Sequence, residues 1–382
     1  VDLDFTDEQE ALRESVRSVL ARECPIGLVR AVVETGDRSA VDALWRRMVD
    51  LDWPALTVPE DVGGLGLSFV ELGVLAEEAG GALVPGPLLP TLAQFAPAVR
   101  ELGDAGQRAR FLGAVARGEL TGTLAPGPSV SASPAGDGVV LEGSVPWVVE
   151  ASHVDEIAVV VTTDGDPAVA VVPQAEVDVE PARAFDPTRE YATVRFDGVR
   201  VGADRVLGDV GGAGTAVVRA IEDATVAVAL ETLGTCQAIL DMTVAYAGER
   251  VQFDRPIGSF QAVKHKLADM LVVVERARAC CYFAAACIAE DDDRRTMAVS
   301  VAKAAAGDAQ RKVAEDGIQL HGGIGYTWEH DLHLYVKRAK AGDALFGTAA
   351  EHRQRIAALL AERVRTGGTG TSAHSPAVTD GR

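Results

Sequence analysis

Arg250-Val251-Gln252-Phe253-Asp254-Arg255-Pro256-Ile257-Gly258-Ser259-Phe260-Gln261 parts two long Ala/Val/Leu-rich segments. Gln319-Leu320-His321-Gly322-Gly323-Ile324-Gly325-Tyr326 follows a third, and Leu345-Phe346-Gly347-Thr348 opens a fourth. Each stretch has a chemical use beyond turning the chain. A guanidinium at a helix end, Arg250, can pair with a pyrophosphate, and Phe253 offers a flat apolar face. Gly322 and Gly323 carry no Cβ, so the phosphates of another molecule can approach their N–H groups closely.

Working outward from these turns, helices are expected over 217–249, 259–290, 295–320 and 345–364. The first is roughly 30 residues long, a length that suits an antiparallel four-helix bundle spanning 216–365, with surplus apolar surface packed between subunits. Upstream the period changes. Pro126 to Gly138 is rich in Gly, Pro and Ser, and short Val-rich runs follow at Val139–Leu141, Ile157–Val161 and Val169–Val172. Ala192, Val194 and Phe196 alternate with Thr193 and Arg195, the two-residue period of a half-buried strand, so 121–207 reads as an antiparallel β domain. Residues 1–120 read as helical. Thr6 and Gln9 have capping-box spacing, and Leu12, Val16, Val19 and Leu20 recur on one face. The tail 366–382 is Gly/Ser/Thr-rich and aperiodic, and is expected to be disordered. The fold class is α+β: N-terminal helices, middle sheet, C-terminal bundle.

Composition narrows the functions. The chain has 382 residues, 48% of them hydrophobic, enough apolar content for two or three domains. With 36 Lys and Arg against 56 Asp and Glu the net charge is −20, which argues against nucleic-acid binding because phosphate recognition needs a basic footprint. No apolar run reaches the roughly 18 residues that span a bilayer, and the first residues lack the charged-then-apolar pattern of a signal peptide. Cys24, Cys236, Cys280, Cys281 and Cys287 form no CxxC pair and read as reduced thiols, so the expected compartment is the cytoplasm.

The three turn segments, in this order and within this helix–sheet–helix arrangement, resemble the acyl-CoA dehydrogenase family of flavoproteins. The resemblance runs from Leu3-Asp4-Phe5-Thr6 to the last helix. It includes Asp186-Pro187-Thr188-Arg189 and Val194-Arg195-Phe196-Asp197-Gly198-Val199, which are similar to strands leaving that family's β domain. It implies that Arg250, Phe253 and Gln261 hold the FAD pyrophosphate and adenosine, that Gln319, Gly322 and Gly323 do so from a neighbouring subunit, and that Thr348 touches the cofactor. Without the resemblance, Arg250 and Gln261 would read as a helix-end salt bridge and a surface amide, and the glycines as a C-cap turn.

The family's reaction removes an α-proton from an acyl thioester and passes a hydride from the β-carbon to flavin N5. It needs a carboxylate base against the α-carbon. The position that usually carries it, before Gly347-Thr348, is Phe346, and a minority position on the first bundle helix is Ala224, followed by Thr225 where the family usually has Arg. Glu222 and Asp223 point roughly 200° and 100° away from Ala224 around the helix. Glu231 lies almost on the same face about 10 Å along the axis, in the apolar setting Val228-Ala229-Leu230. Three roles stay open for Glu231: a buried acid bonded to a neighbouring helix, a base reached by an unusual substrate pose, or a group that recognises a polar acyl tail. The sheet departs as well. Leu124-Ala125-Pro126-Gly127-Pro128-Ser129-Val130 replaces the family's Glu-Pro-x-x-Gly-Ser-Asp-like loop, and Trp147-Val148-Val149 replaces Trp-x-Thr, leaving Trp147 to shield the ring.

The resemblance therefore extends to base-lacking subunits of two-chain dehydrogenases for steroid side-chain thioesters. The expected protein is an FAD-associated subunit of an α2β2 tetramer with a second acyl-CoA dehydrogenase chain, acting on a bulky acyl-CoA, with an electron-transfer flavoprotein as acceptor. A homotetramer using Glu231 and a non-catalytic scaffold for a flavoenzyme are the alternatives.

Overall fold

The computed structural model describes residues 5–127, 129–163, 166–208 and 212–365. The expected disordered tail 366–382, with Leu3, Asp4 and Pro128 of the quoted stretches, lies outside the described residues. Helices α1 (Asp7–Glu23), α2 (Ile26–Thr35), α3 (Ser39–Val49), α4 (Phe69–Gly81), α5 (Leu88–Pro90), α6 (Ala96–Leu102) and α7 (Ala105–Ala116) come first, with a π-turn, Thr91–Phe95, between α5 and α6. The capping box closes as its spacing requires: Gln9 N donates to Thr6 Oγ1 at 3.2 Å and Thr6 N donates to Gln9 Oε1 at 3.1 Å. Val16, Val19 and Leu20 of α1 are buried.

The middle strands are β1 (Gly122–Ala125), β2 (Val130–Ala135), β3 (Gly138–Val149), β4 (Glu156–Thr163), β5 (Asp166–Pro173), β6 (Asp178–Pro181), β7 (Tyr191–Val201) and β8 (Val206–Leu207). They form one sheet in the order β6-β7-β3-β2-β4-β5-β8, with β1 beside β4. The expected antiparallel sheet is in fact mixed. β4 runs parallel to β1 and touches β2 in parallel at Ser131–Thr162, because the β2–β3 excursion returns the chain in its original direction. Alternate residues of β4 enter different cores. Ala158 and Val160 face the helices, whereas Ile157, Val159 and Val161 join a second core with Val145, Val194 and Phe196. Burial on both faces explains why this strand reads as an unbroken apolar run.

Five further helices follow: α8 (Gly214–Glu249), α9 (Gln261–Ala289), α10 (Arg295–His321), α11 (Leu332–Ala344) and α12 (Ala349–Arg365), with a hairpin, β9 (Val251–Gln252) and β10 (Arg255–Pro256), between α8 and α9. The four expected bundle helices are present and α11 is added. Its buried face includes His333 and Arg338, polar residues that break the apolar period on which the sequence reading relies.

The N-terminal helices and the bundle share one core, and α4 crosses α8 at backbone contact. A Cβ on Gly80 would stand 2.0 Å from Glu231 O, and one on Gly234 would stand 1.8 Å from Glu77 O. Thr235 Oγ1 donates to Gly80 O at 3.1 Å across the same crossing.

Candidate active site

Two of the three turns meet through Tyr246 near the end of α8. Its carbonyl accepts the Arg250 N–H, its hydroxyl donates to His321 O at 3.4 Å, and its ring stacks on the His321 imidazole at 4.4 Å. His321 is held in turn by Gly317 O, 2.7 Å from Nδ1. The Arg250 and Gly322 stretches, expected to act from different subunits, are thus neighbours within one chain.

The surface they present is open. Phe253 is 86% exposed and, with Asp254, occupies left-handed backbone (φ 54° and 61°) at the tip of the β9–β10 hairpin, the conformation such a tight turn demands. Arg250, Gln261, Gln319, Gly322 and Gly323 are all exposed, and a Cβ at either glycine would meet open space. No acidic partner faces the Arg250 guanidinium among the described residues. An unpaired cation, a flat apolar ring and bare N–H groups fit a dinucleotide with a pyrophosphate.

The third turn is tied down by hydrogen bonds. Phe346 and Gly347 both have positive φ (55° and 96°), and the Phe346 carbonyl lies 2.9 Å from His352 Nε2. Thr348 caps α12: its N and Oγ1 donate to Glu351 Oε2 at 2.7 and 2.8 Å. Buried Lys303 donates to Gly342 O and Asp343 O, both at 2.8 Å, closing the C-terminal end of α11. Burial lowers this ammonium to about 8, against the attraction of Asp343. In the unfolded chain it titrates near 10.4. Between those values the unfolded state binds more protons, so the contribution of Lys303 to stability rises with pH; below about 8 the penalty is present in full. The stability of the wild type relative to Lys303→Met is expected to grow by up to about 1.4 kcal/mol per pH unit between pH 8 and 10. Paired denaturant titrations at pH 7, 8.5 and 10 measure it, and a flat difference would refute it.

Neither position expected for a base holds one: Phe346 is half-buried against the helical core and Ala224 is fully buried. The acids nearby on α8 are committed elsewhere. Glu222 Oε2 accepts from Arg295 Nε at 2.9 Å, and Asp223 accepts from Arg295 at 2.7 Å and from Arg100. Burial raises the Asp223 carboxyl even against these two guanidiniums. Glu231 accepts from Arg189 and, at 2.8 Å, from Arg338. Burial alone would raise its carboxyl, but Arg189 and then Arg338 outweigh this and hold it below the usual carboxylate range. A carboxylate so placed is a poor proton acceptor, since protonation would forfeit both ion pairs. Of the three roles open to Glu231, this geometry matches the buried, paired acid.

Sequence reasoning missed the cations. Arg338, 2% exposed, donates to Thr188 Oγ1 and Thr188 O at 2.8 Å each and pairs with Asp186 at 3.2 Å. A charge count could have found it, since a buried acid on an apolar helix requires a buried cation somewhere. On the sheet, Trp147 sits at a register irregularity of the β3–β7 pair with φ 61°, 54% exposed and edge-on to Tyr191 at 6.4 Å. Its indole is available to a flat ligand.

Residues 6–119 match the family model described as acyl-CoA dehydrogenase, N-terminal domain, and residues 212–361 match acyl-CoA dehydrogenase, C-terminal domain. Acyl-CoA dehydrogenase IpdE2 of Mycobacterium tuberculosis is 34% identical over 352 residues, covering 92% of this chain and 96% of the relative. Among solved structures, a chain of the ChsE4-ChsE5 complex from Mycobacterium tuberculosis superposes with a TM-score of 0.87 at 28% identity, covering 95% of this chain and 99% of that one. A chain from a single-substitution variant of the Tcur3481-Tcur3483 steroid ACAD gives 0.85 at 31% identity, over 94% and 99%. No helix among the described residues is long and apolar enough to cross a membrane.

Proposed function

The chain belongs to the acyl-CoA dehydrogenase family of oxidoreductases, whose members are FAD-binding flavoproteins, and on that premise we propose that it is the base-lacking subunit of a two-chain dehydrogenase for a bulky acyl-CoA thioester. One observation carries the proposal: both base positions are apolar, and Glu222, Asp223 and Glu231 are each locked by arginine. The carboxylate that takes the α-proton then comes from a partner chain. When bound, FAD supplies the acceptor for the β-hydride.

This chain's residues hold and orient the cofactor. Arg250 would neutralise pyrophosphate charge, Phe253 and Gln261 would take the adenosine, and Gln319, Gly322 and Gly323 would offer backbone and amide groups beside them. Trp147 would shield the face of a flavin seated against the sheet, and Thr348 would anchor the turn at the third segment. From Ala224 to Arg250, α8 runs about 39 Å at 1.5 Å per residue, so the nucleotide cradle is too distant to serve a reaction centred on this chain's own base position. That span supports a cradle donated in trans to a neighbouring chain's flavin, in an α2β2 tetramer rather than a lone chain. The likeness to chains from the ChsE4-ChsE5 complex and a steroid ACAD supports both the paired arrangement and a bulky substrate. An electron-transfer flavoprotein is the proposed acceptor and the cytoplasm the proposed compartment.

The test is expression of the chain alone and with a second acyl-CoA dehydrogenase chain that carries the base, followed by flavin absorbance and acyl-CoA-dependent dye reduction. The pair is expected to turn over about 10²–10⁴-fold faster than the single chain, the usual contribution of a positioned general base. Comparable turnover by the chain alone would sink the proposal.

A further inference from the structure

Two voids lie against the middle of α8. The first is lined by Leu89, Gln94, Val149, Ala224, Arg189 and Glu231, and the second by Val84, Leu88, Arg189 and Glu231. Each has a volume of about 10 Å³. That is at the floor for one water molecule, roughly 10–15 Å³, and far below the ~300–1,000 Å³ of pockets that hold small ligands. Arg189 and Glu231 line both, together with Leu89 and Pro90, so the ion pair borders each void.

We infer that the Arg189–Glu231 ion pair is a plug built into the acyl channel of this chain, leaving no room for an acyl group beside Ala224. A thioester whose α-carbon lay against Ala224 would need room for its acyl chain in the void that Leu89, Val149 and Arg189 line with Ala224, and that void holds about 10 Å³. Charge supports a plug over a receptor for a charged tail. Arg189 and Arg338 balance Glu231 and Asp186, all four side chains are buried, and the cluster therefore has no surplus charge to draw in a ligand carboxylate. Arg338 also holds Glu231, at 2.8 Å, so Glu231 cannot swing aside with Arg189 without giving up its second ion pair. This inference rests on the base-lacking reading, and it adds that the acyl group is accommodated only in the partner's chain.

The experiment is calorimetric titration of the full chain with CoA and with 3-thiaoctanoyl-CoA, whose β-sulfur blocks dehydrogenation. Wild type is expected to bind the two within about threefold, because the acyl part gains no burial; a free acyl site would separate them by far more than tenfold. Arg189→Ala is expected to bind the thia-analogue at least tenfold tighter than CoA while its thermal transition stays cooperative. Should that variant fail to fold, the wild-type complex with its partner decides: one thia-analogue per pair of chains supports the plug, and two overturn it. A tenfold acyl preference in the wild-type chain overturns it as well. So does a preference of the wild type for an ω-carboxyacyl-CoA that Arg189→Ala abolishes, which would make Arg189 a recognition group. These are binding measurements, so turnover by the single chain would overturn the subunit proposal without altering them.

Discussion

Arg338→Met is expected to lower stability by about 3–5 kcal/mol, the usual cost of breaking a buried ion pair by removing one partner. The reason is charge balance in a closed space. Without Arg338 the cluster keeps one cation, Arg189, against two carboxylates, Glu231 and Asp186, and all of them are shielded from water. Thr188 O and Oγ1 lose their guanidinium donor in the same substitution and Asp186 Oδ2 loses its ion-pair partner, while Asp186 Oδ1 keeps the Thr188 N–H and hydroxyl. Methionine fills much of the volume but offers no hydrogen bond, so the loss is electrostatic more than steric. Adding Asp186→Asn removes the surplus negative charge and should recover more than 1 kcal/mol, measured as the coupling in a double-mutant cycle by denaturant unfolding. A single-variant loss below 1 kcal/mol would mean that the cluster is hydrated and its charges are screened by water.

Alanine at Gly234 is expected to cost about 3 kcal/mol, the upper end of the range for overpacking. The added methyl would stand 1.8 Å from Glu77 O, and a backbone oxygen in a helix cannot rotate away as a side chain can. Relief requires α4 and α8 to separate, which also disturbs Glu77, bonded to Arg278 at 3.0 Å and to the Tyr282 hydroxyl at 2.7 Å. Gly248 lies on the same helix with nothing within 4 Å of its added Cβ. Gly248→Ala should therefore stabilise by up to about 1 kcal/mol through helix propensity alone. Denaturant midpoints moving in opposite directions are the expected result. Equal shifts of one sign would mean the crossing is looser than its geometry implies.

Much of the fold was legible because its signals are local. A capping box at Thr6 and Gln9, a two-residue period at Ala192, Val194 and Phe196, and long apolar helices each lie within one stretch of chain. The turn chemistry was legible too, since Gly322 and Gly347 sit at positive φ where other residues are strained. Phe253, Asp254 and Phe346 adopt positive φ without any such marker, so the strain at those turns could not be read. The charged cluster was hidden for a different reason. Glu231 was visible as an acid in apolar surroundings, but its cations arrive from β7's approach and from α11, segments brought near only by folding. Arg338 also concealed the helix that carries it, because one buried guanidinium defeats a pattern built on apolar spacing. The parallel pairing of β1 with β4 was likewise invisible, since strand periodicity carries no direction.

The shared core of the N-terminal helices and the bundle bears on how this protein can vary. Its two halves are far apart in sequence yet meet at a glycine-to-backbone seam, so a shuffled gene joining one relative's first helices to another's bundle would inherit mismatched shapes at Gly80 and Gly234. The sheet is held differently, because half of its packing is internal to itself. Exchange of the segment between α7 and α8 would disturb fewer partners, which makes it the part of this molecule most open to divergence by recombination.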